Sequence, residues 1–196
     1  MTEERVAIFI DGSNLYHALR ENLGRTDLNF SEFARKLVGE RRLFRIYYYN
    51  VLQDPVRNPE GAREQQEFMN MLRASPHLEV RLGSTKLSQG TTVEKGVDVM
   101  LATDMVNFGW MGVYETALLV SGDGDFAYAL QTTKNLGKNV EVAYFERNAS
   151  RDLLDIADES LLLNKSFFQG LWWGRQHVQR RRGRARPKPF APATPD

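Results

Sequence analysis

Thr116-Ala117-Leu118-Leu119-Val120-Ser121-Gly122-Asp123-Gly124-Asp125-Phe126 is the stretch on which the reading of the fold turns. Its first five residues make a nearly unbroken apolar run, the pattern of a parallel strand covered on both faces. Ser-Gly-Asp-Gly ends that run with turn residues. Phe126, Leu130 and Thr133 then recur at helical spacing as far as Gly137, a helix stop. A strand, a tight loop and a helix in this order deliver two carboxylates to the carboxyl edge of a sheet, where ligands bind in open α/β folds. Taken alone, Asp123 also suits a plain turn and Asp125 a helix cap.

Working outward, the same alternation repeats. Upstream, Val97 to Phe108 carries the stripe Val97, Leu101, Met105 of a helix, with Asp98 in the first turn, where an acid also suits the helix dipole. Downstream, Val140 to Phe145 reads as a strand. Ser150 caps a short helix with Leu153, Leu154 and Ile156, and Leu161 to Leu163 reads as an edge strand. At the amino end, Arg5 to Ile10 is a second buried strand that stops at Asp11-Gly12. Ser13-Asn14 opens a helix closing near Gly24, and Ser31 is placed as the cap of another that stops at Gly39. Leu43 to Leu52, rich in tyrosine and β-branched residues, is a strand. Gly61 to Ser75 is a helix, Leu78 to Leu82 a strand, and Gly83 to Lys95 either a hairpin or a mobile loop. Strands alternating with helices predict an α/β fold with a mostly parallel central sheet.

The composition excludes several classes of function. The chain of 196 residues contains no cysteine, which removes disulfide scaffolds, thiolate metal sites and cysteine nucleophiles, and fits a reducing, cytoplasmic setting. No apolar run approaches the roughly 20 residues of a membrane helix, and no signal peptide is evident, so no membrane partner is expected. The net charge of +1 conceals an asymmetry. From Leu171 onward there are seven Lys or Arg and one acid, leaving 19 basic against 24 acidic residues before it. An acidic body with a basic tail points to a polyanionic partner for the tail, or to a merely solvated terminus.

Asp11, Asp98, Asp123 and Asp125 are all predicted at one edge of one parallel sheet, because strand ends and helix starts coincide there in right-handed β-α-β units. Gathered carboxylates repel one another unless a cation is held among them, and hard ions such as Mg²⁺ or Mn²⁺ take oxygen ligands. A carboxylate site of this kind equips a protein for phosphodiester cleavage, the ions activating water and stabilising the attacking and leaving oxygens. Asn14, three residues after Asp11, is placed to orient water or a phosphate. Asp104 lies about 120° around the helix from Asp98 and is placed one layer behind the ligands. A serine nucleophile is not indicated, since Ser121-Gly122-Asp123 lacks a nucleophile elbow. Nor does Gly-Asp-Gly-Asp have dinucleotide-binding spacing.

These residues resemble a known family. Asp11-Gly12-Ser13-Asn14, Lys95-Gly96-Val97-Asp98-Val99, Ser121-Gly122-Asp123-Gly124-Asp125-Phe126 and Gly137-Lys138-Asn139-Val140-Glu141-Val142 are similar, in this order, to the motifs of the NYN domain. The likeness is to the LabA-like branch of the PIN-like nuclease superfamily. It implies a three-layer α/β/α sandwich and a metal-dependent ribonuclease site. The acids of that site correspond to Asp11, Asp98, Asp123 and Asp125. Asn14 matches the asparagine of the first motif, and Asp104 matches a further acid often present in the branch. The motif-bearing domain is taken as residues 1–165. Residues 166–196 form an extension, aromatic and then basic and Pro-rich, expected to be partly disordered.

Single-stranded RNA is the expected partner. Lys86 and Lys95 flank the predicted loop beside the acids, and Arg180, Arg181, Arg182, Arg184 and Arg186 could bind phosphates through counterion release. Phe168, Trp172 and Trp173 either stack on bases or pack against the body. The competing reading is a non-catalytic RNA- or protein-binding regulatory module of the same fold.

Overall fold

The fold was analysed on a computed structural model, which describes residues 4–73, 75–88 and 91–173. Seven strands and six helices follow one another as β1 (Arg5–Asp11), α1 (Gly12–Leu23), α2 (Phe30–Val38), β2 (Arg42–Val51), α3 (Pro59–Arg73), β3 (Leu78–Ser88), β4 (Thr91–Lys95), α4 (Val97–Trp110), β5 (Thr116–Val120), α5 (Ala127–Asn135), β6 (Asn139–Tyr144), α6 (Arg151–Ile156) and β7 (Glu159–Leu162). They form one sheet in the order β4-β3-β2-β1-β5-β6-β7. Every pairing is parallel except β3 with β4, an antiparallel hairpin at the edge. The expected α/β architecture is therefore present, and the ambiguous stretch from Gly83 to Lys95 is a hairpin.

The apolar runs explain the layering. Along β1, Val6, Ile8 and Ile10 share a core with residues of α1, α2 and α3, such as Leu15, Phe33 and Met69. Ala7 and Phe9 point the other way, into a core with Leu101 and Met105 of α4, Leu130 of α5 and Leu153 of α6. A strand buried on both faces carries no polar alternation, because period-2 side chains enter apolar cores on either side. The result is a three-layer α/β/α sandwich.

The order of the strands locates the site. The chain steps outward from β1 to β2 and β3, then returns past β1 and steps the other way through β5, β6 and β7. With right-handed crossovers, this reversal puts the first set of helices on one face and the second set on the other. The carboxyl ends of β1 and β5 lie where the strand order reverses, the switch point whose crevice is the place at which α/β sheets bind ligands.

One helix start differs from expectation. Helix α2 begins at Phe30, not after Ser31, because the side chain of Asn29 accepts the Glu32 N–H at 3.3 Å and so caps it. After residue 165, the sequence leaves open whether the aromatics stack on bases or pack against the body. Phe168 and Leu171 are buried in the core, the Phe168 ring stacks on Phe33 and Phe145, and Trp172 bridges Leu28. The aromatic portion of the extension packs against the body, and the residues from 174 onward lie outside the described set.

Candidate functional site

Strand β1 delivers Asp11 to the switch point, where it is only 6% exposed. Helix α1 begins at once, and Asp11 is its cap, accepting the backbone N–H of Asn14 at 3.0 Å. Gly12 is required there because a Cβ would run into the Tyr48 ring and the Tyr49 carbonyl of β2. Ser121, at the end of β5, donates its hydroxyl to the second Asp11 oxygen at 3.2 Å. The Ser121 oxygen in turn accepts the N–H of Asp123 at 3.1 Å. A directional chain thus runs from the Asp123 backbone through Ser121 to the Asp11 carboxylate. Asn14 closes a second link, its side-chain oxygen accepting the N–H of Gly122 at 3.3 Å. Its amide nitrogen makes no hydrogen bond among the described residues.

The loop after β5 is held from above. The Gly122 carbonyl accepts the N–H of Ser150 at 2.9 Å. A Cβ on Gly122 would collide with the Asn148 carbonyl. Asp123, rather than Asp125, is the cap of the short 3-10 turn Gly124–Phe126, taking the Asp125 N–H at 3.0 Å. Asp125 is exposed. Asp98 sits in the first turn of α4, after Gly96, which adopts a left-handed conformation with φ of 83°.

The acids sense one another. The Asp11 carboxyl is pushed up to about 6 from an ordinary 3.8, chiefly by burial. The Asn14 and Ser121 hydrogen bonds oppose that rise, and the charges of Asp98 and Asp123 add to it. Asp98 is raised as well, by partial burial and then by the charges of Asp123 and Asp125. Among the described residues, no three of these carboxylates converge closely enough to cage an ion.

The structure separates Asp104 from this group. Its carboxylate accepts the Tyr49 hydroxyl at 2.9 Å and pairs with the Arg81 guanidinium at 2.5 Å. Arg81 also bonds Glu79 at 2.9 Å and lies over the rings of Tyr47 and Phe108, 5.3 Å from each. Asp104 therefore ties α4 to β2 and β3. Lys86 and Lys95 belong to the β3–β4 hairpin, with side chains outside the described set, as are Arg180, Arg181, Arg182, Arg184 and Arg186. Ser121 and the tie between Asn14 and Gly122 were not singled out from the sequence. The serine beside Asp123 is a common turn residue, and only the neighbouring strand gives it a partner.

A three-layer α/β/α sandwich with acids at the switch point of its parallel sheet is the architecture of this chain, and the chain belongs to the NYN domain family, whose signature spans residues 5–164. That places it within the PIN-like nuclease superfamily. The low amplitude and bright protein LabA of Synechococcus elongatus is 29% identical to it over 177 residues, covering 84% of this chain and 88% of LabA. A crystal structure of a Vibrio parahaemolyticus protein of unknown function shares the fold. Its TM-score is 0.69 at 24% identity, over 84% of this chain and 96% of that one. Among the described residues, no helix is long and apolar enough to cross a membrane.

Proposed function

We propose that this protein is a metal-dependent ribonuclease, acting in the cytoplasm on single-stranded RNA at the switch-point crevice. The observation that carries the reading is the buried Asp11 at the carboxyl end of β1, tied through Ser121 to the loop that carries Asp123, in a chain of the NYN family. A buried carboxyl with further acids in electrostatic reach marks a site adapted to positive charge. The donor set is all oxygen and its members are spread apart. That suits Mg²⁺ or Mn²⁺, which keep several waters and need only one or two carboxylates, better than an ion demanding a full protein cage.

In this reading Asp11, Asp98, Asp123 and Asp125 hold the ion directly or through water, and the ion supplies an activated water and charge stabilisation at the phosphate. Asp11 is positioned by Asn14 and Ser121 and is ionised above pH about 6. Asn14 has its amide nitrogen available to a phosphate oxygen or a water. Asp104 acts from behind the ligands by anchoring α4, and with it Asp98. Lys86, Lys95 and the arginines from Arg180 to Arg186 contribute phosphate contacts.

The test is cleavage of end-labelled single-stranded RNA with and without Mn²⁺, in the natural protein and in Asp123→Asn. Asparagine caps a helical turn about as well as aspartate, so this variant removes charge and keeps the loop. Full activity in it would sink the proposal. The second reading is an RNA- or protein-binding module of the same fold that does not cut. Calorimetric titration with Mn²⁺ separates the two, since such a module has no need of the ion.

A further inference from the structure

Helix α4 is apolar on its outside as well as its inside. Val97, Leu101, Met105 and Gly109 are its buried residues. The opposite stripe, Val99, Ala102, Thr103, Val106 and Trp110, keeps the three- and four-residue spacing of one helix face and carries no charge. Val99 is 69% exposed and Trp110 77%, and Met111, the next residue, is 61% exposed. Tyr128, in the first turn of the neighbouring helix α5, is 83% exposed. Among the fourteen residues of α4 only Asp98 and Asp104 are charged, and Asp104 is turned to Arg81. Helix α3 is the contrast, since Arg63, Glu64 and Glu67 are exposed on it. A surface helix keeps its outer face polar, and a helix that is apolar all round is a covered one.

The four exposed side chains present on the order of 500 Å² of surface. That is at the upper end of the apolar patch a monomer shows, about 300–600 Å². It is also more than half of the roughly 800 Å² that each partner contributes to a standard interface. The two ends of the face differ in charge. At the amino end of α4, Asp98 has Asp123 and Asp125 in electrostatic reach. At the carboxyl end, the Gly112 carbonyl accepts the Arg5 guanidinium at 2.8 Å, and Lys138 lies over the Tyr114 ring. These two cations share one acid, Glu115.

We propose that this face binds a second copy of the chain, α4 against α4, antiparallel about a two-fold axis near Thr103. A two-fold interface brings one patch onto itself, and an uncharged centre meets its copy without repulsion. The antiparallel orientation sets the acidic end of each helix against the basic end of the other and opposes the helix dipoles. A parallel pair would set acids against acids. The face lacks the cations with which RNA or an anionic membrane surface would be held. Trp110, large and near the end of the stripe, is the anchor of the interface. The proposal stands apart from the ribonuclease reading and holds whether or not the crevice cuts RNA.

Sedimentation velocity of the full-length protein at micromolar concentration tests it, with twice the chain mass of 22.5 kDa expected. Trp110→Ala is expected to raise the dissociation constant of the dimer at least about thirtyfold, the scale of a lost interface anchor. Thr103→Lys, which sets two ammonium groups face to face at the axis, is expected to give the single-chain mass. Thr103 and Trp110 are both exposed, so far-UV circular dichroism keeps its helix signal in both variants. The chain has no cysteine, so Thr103→Cys reports the pairing without background. A short bis-maleimide is expected to join two such chains, and to leave Val56→Cys, at a site 86% exposed elsewhere on the surface, as single chains. A natural protein with the single-chain mass overturns the proposal. So does a dimer that survives Thr103→Lys and Trp110→Ala unchanged, or one in which Thr103→Cys does not cross-link.

Discussion

Ser121 donates its hydroxyl hydrogen to Asp11 at 3.2 Å across 110 residues of sequence, and accepts the N–H of Asp123 with the same oxygen. One small side chain therefore both favours the charged form of the buried acid, against its burial and after the Asn14 N–H, and holds the loop that carries the next. Replacing it with alanine leaves a buried carboxylate and an amide N–H without that partner. Ser121→Ala is expected to cost about 2 kcal/mol, the range for hydrogen bonds to charged groups. Because the lost bond favoured the ionised form, the Asp11 carboxyl should titrate above its present value of about 6. A carboxyl-carbon NMR titration and a urea melt measure the two effects. An unmoved or lowered Asp11 would contradict the electrostatic account.

The raised Asp11 also predicts how stability follows pH. Its folded-state value of about 6 stands above the ordinary 3.8. Between these limits the folded protein binds more protons than the unfolded chain, so stability falls as pH rises and stays lower above the upper limit. The gap of about two units corresponds to on the order of 3 kcal/mol. Asp98, raised in the same direction, adds with the same sign. Asp11→Asn should be more stable than the natural protein at neutral pH, with a flatter profile from pH 4 to pH 6. Urea unfolding across that range checks it, and a variant less stable at neutral pH would refute it.

Metal binding should offset this repulsion. An ion present at about 100 times its dissociation constant stabilises by about 2.7 kcal/mol. Mn²⁺ is thus expected to raise the melting temperature of the natural protein by several degrees, and that of Asp11→Asn or Asp123→Asn by much less. Equal shifts in all three would place the ion elsewhere.

Asp104 provides a contrast. Its partners are Arg81 and Tyr49, not the crevice acids. Asp104→Ala should destabilise by about 2 kcal/mol, since a half-buried guanidinium keeps Glu79 but loses the closer of its two carboxylates, and the Tyr49 hydroxyl loses its acceptor. It should weaken Mn²⁺ binding only modestly, through the freed amino end of α4. A complete loss of Mn²⁺ binding with an unchanged melt would show that Asp104 acts as a ligand.

Gly122 is needed for space, not for an unusual backbone angle. The Asn148 carbonyl occupies the place of a Cβ, and the loops are further joined by the Ser150 N–H. Gly122→Ala must push the two backbones away from each other, so a drop in stability of about 3 kcal/mol and loss of cleavage are expected from melting and RNA assays. A variant with natural stability would mean that the two loops can separate freely.

The sequence by itself determined the pieces of this protein. Apolar runs such as Val6 to Ile10 and Ala117 to Val120 must be doubly covered strands. The acids Asp11 and Asp123 terminate them, and Asp98 opens a helix. Those features are local, since period and turn chemistry act over a few residues. The tertiary structure decided which pieces became neighbours. Runs of nearly equal hydrophobicity do not say that β1 lies between β2 and β5, yet that order creates the crevice and brings Ser121 to Asp11. Helical spacing turned Asp104 away from Asp98, but it could not supply its partner, an arginine from β3. It could not show Asp123 rather than Asp125 as the cap, nor seat Phe168 against Phe33 and Phe145. Such contacts join residues far apart in the chain, and their energies are realised only when all three layers pack together.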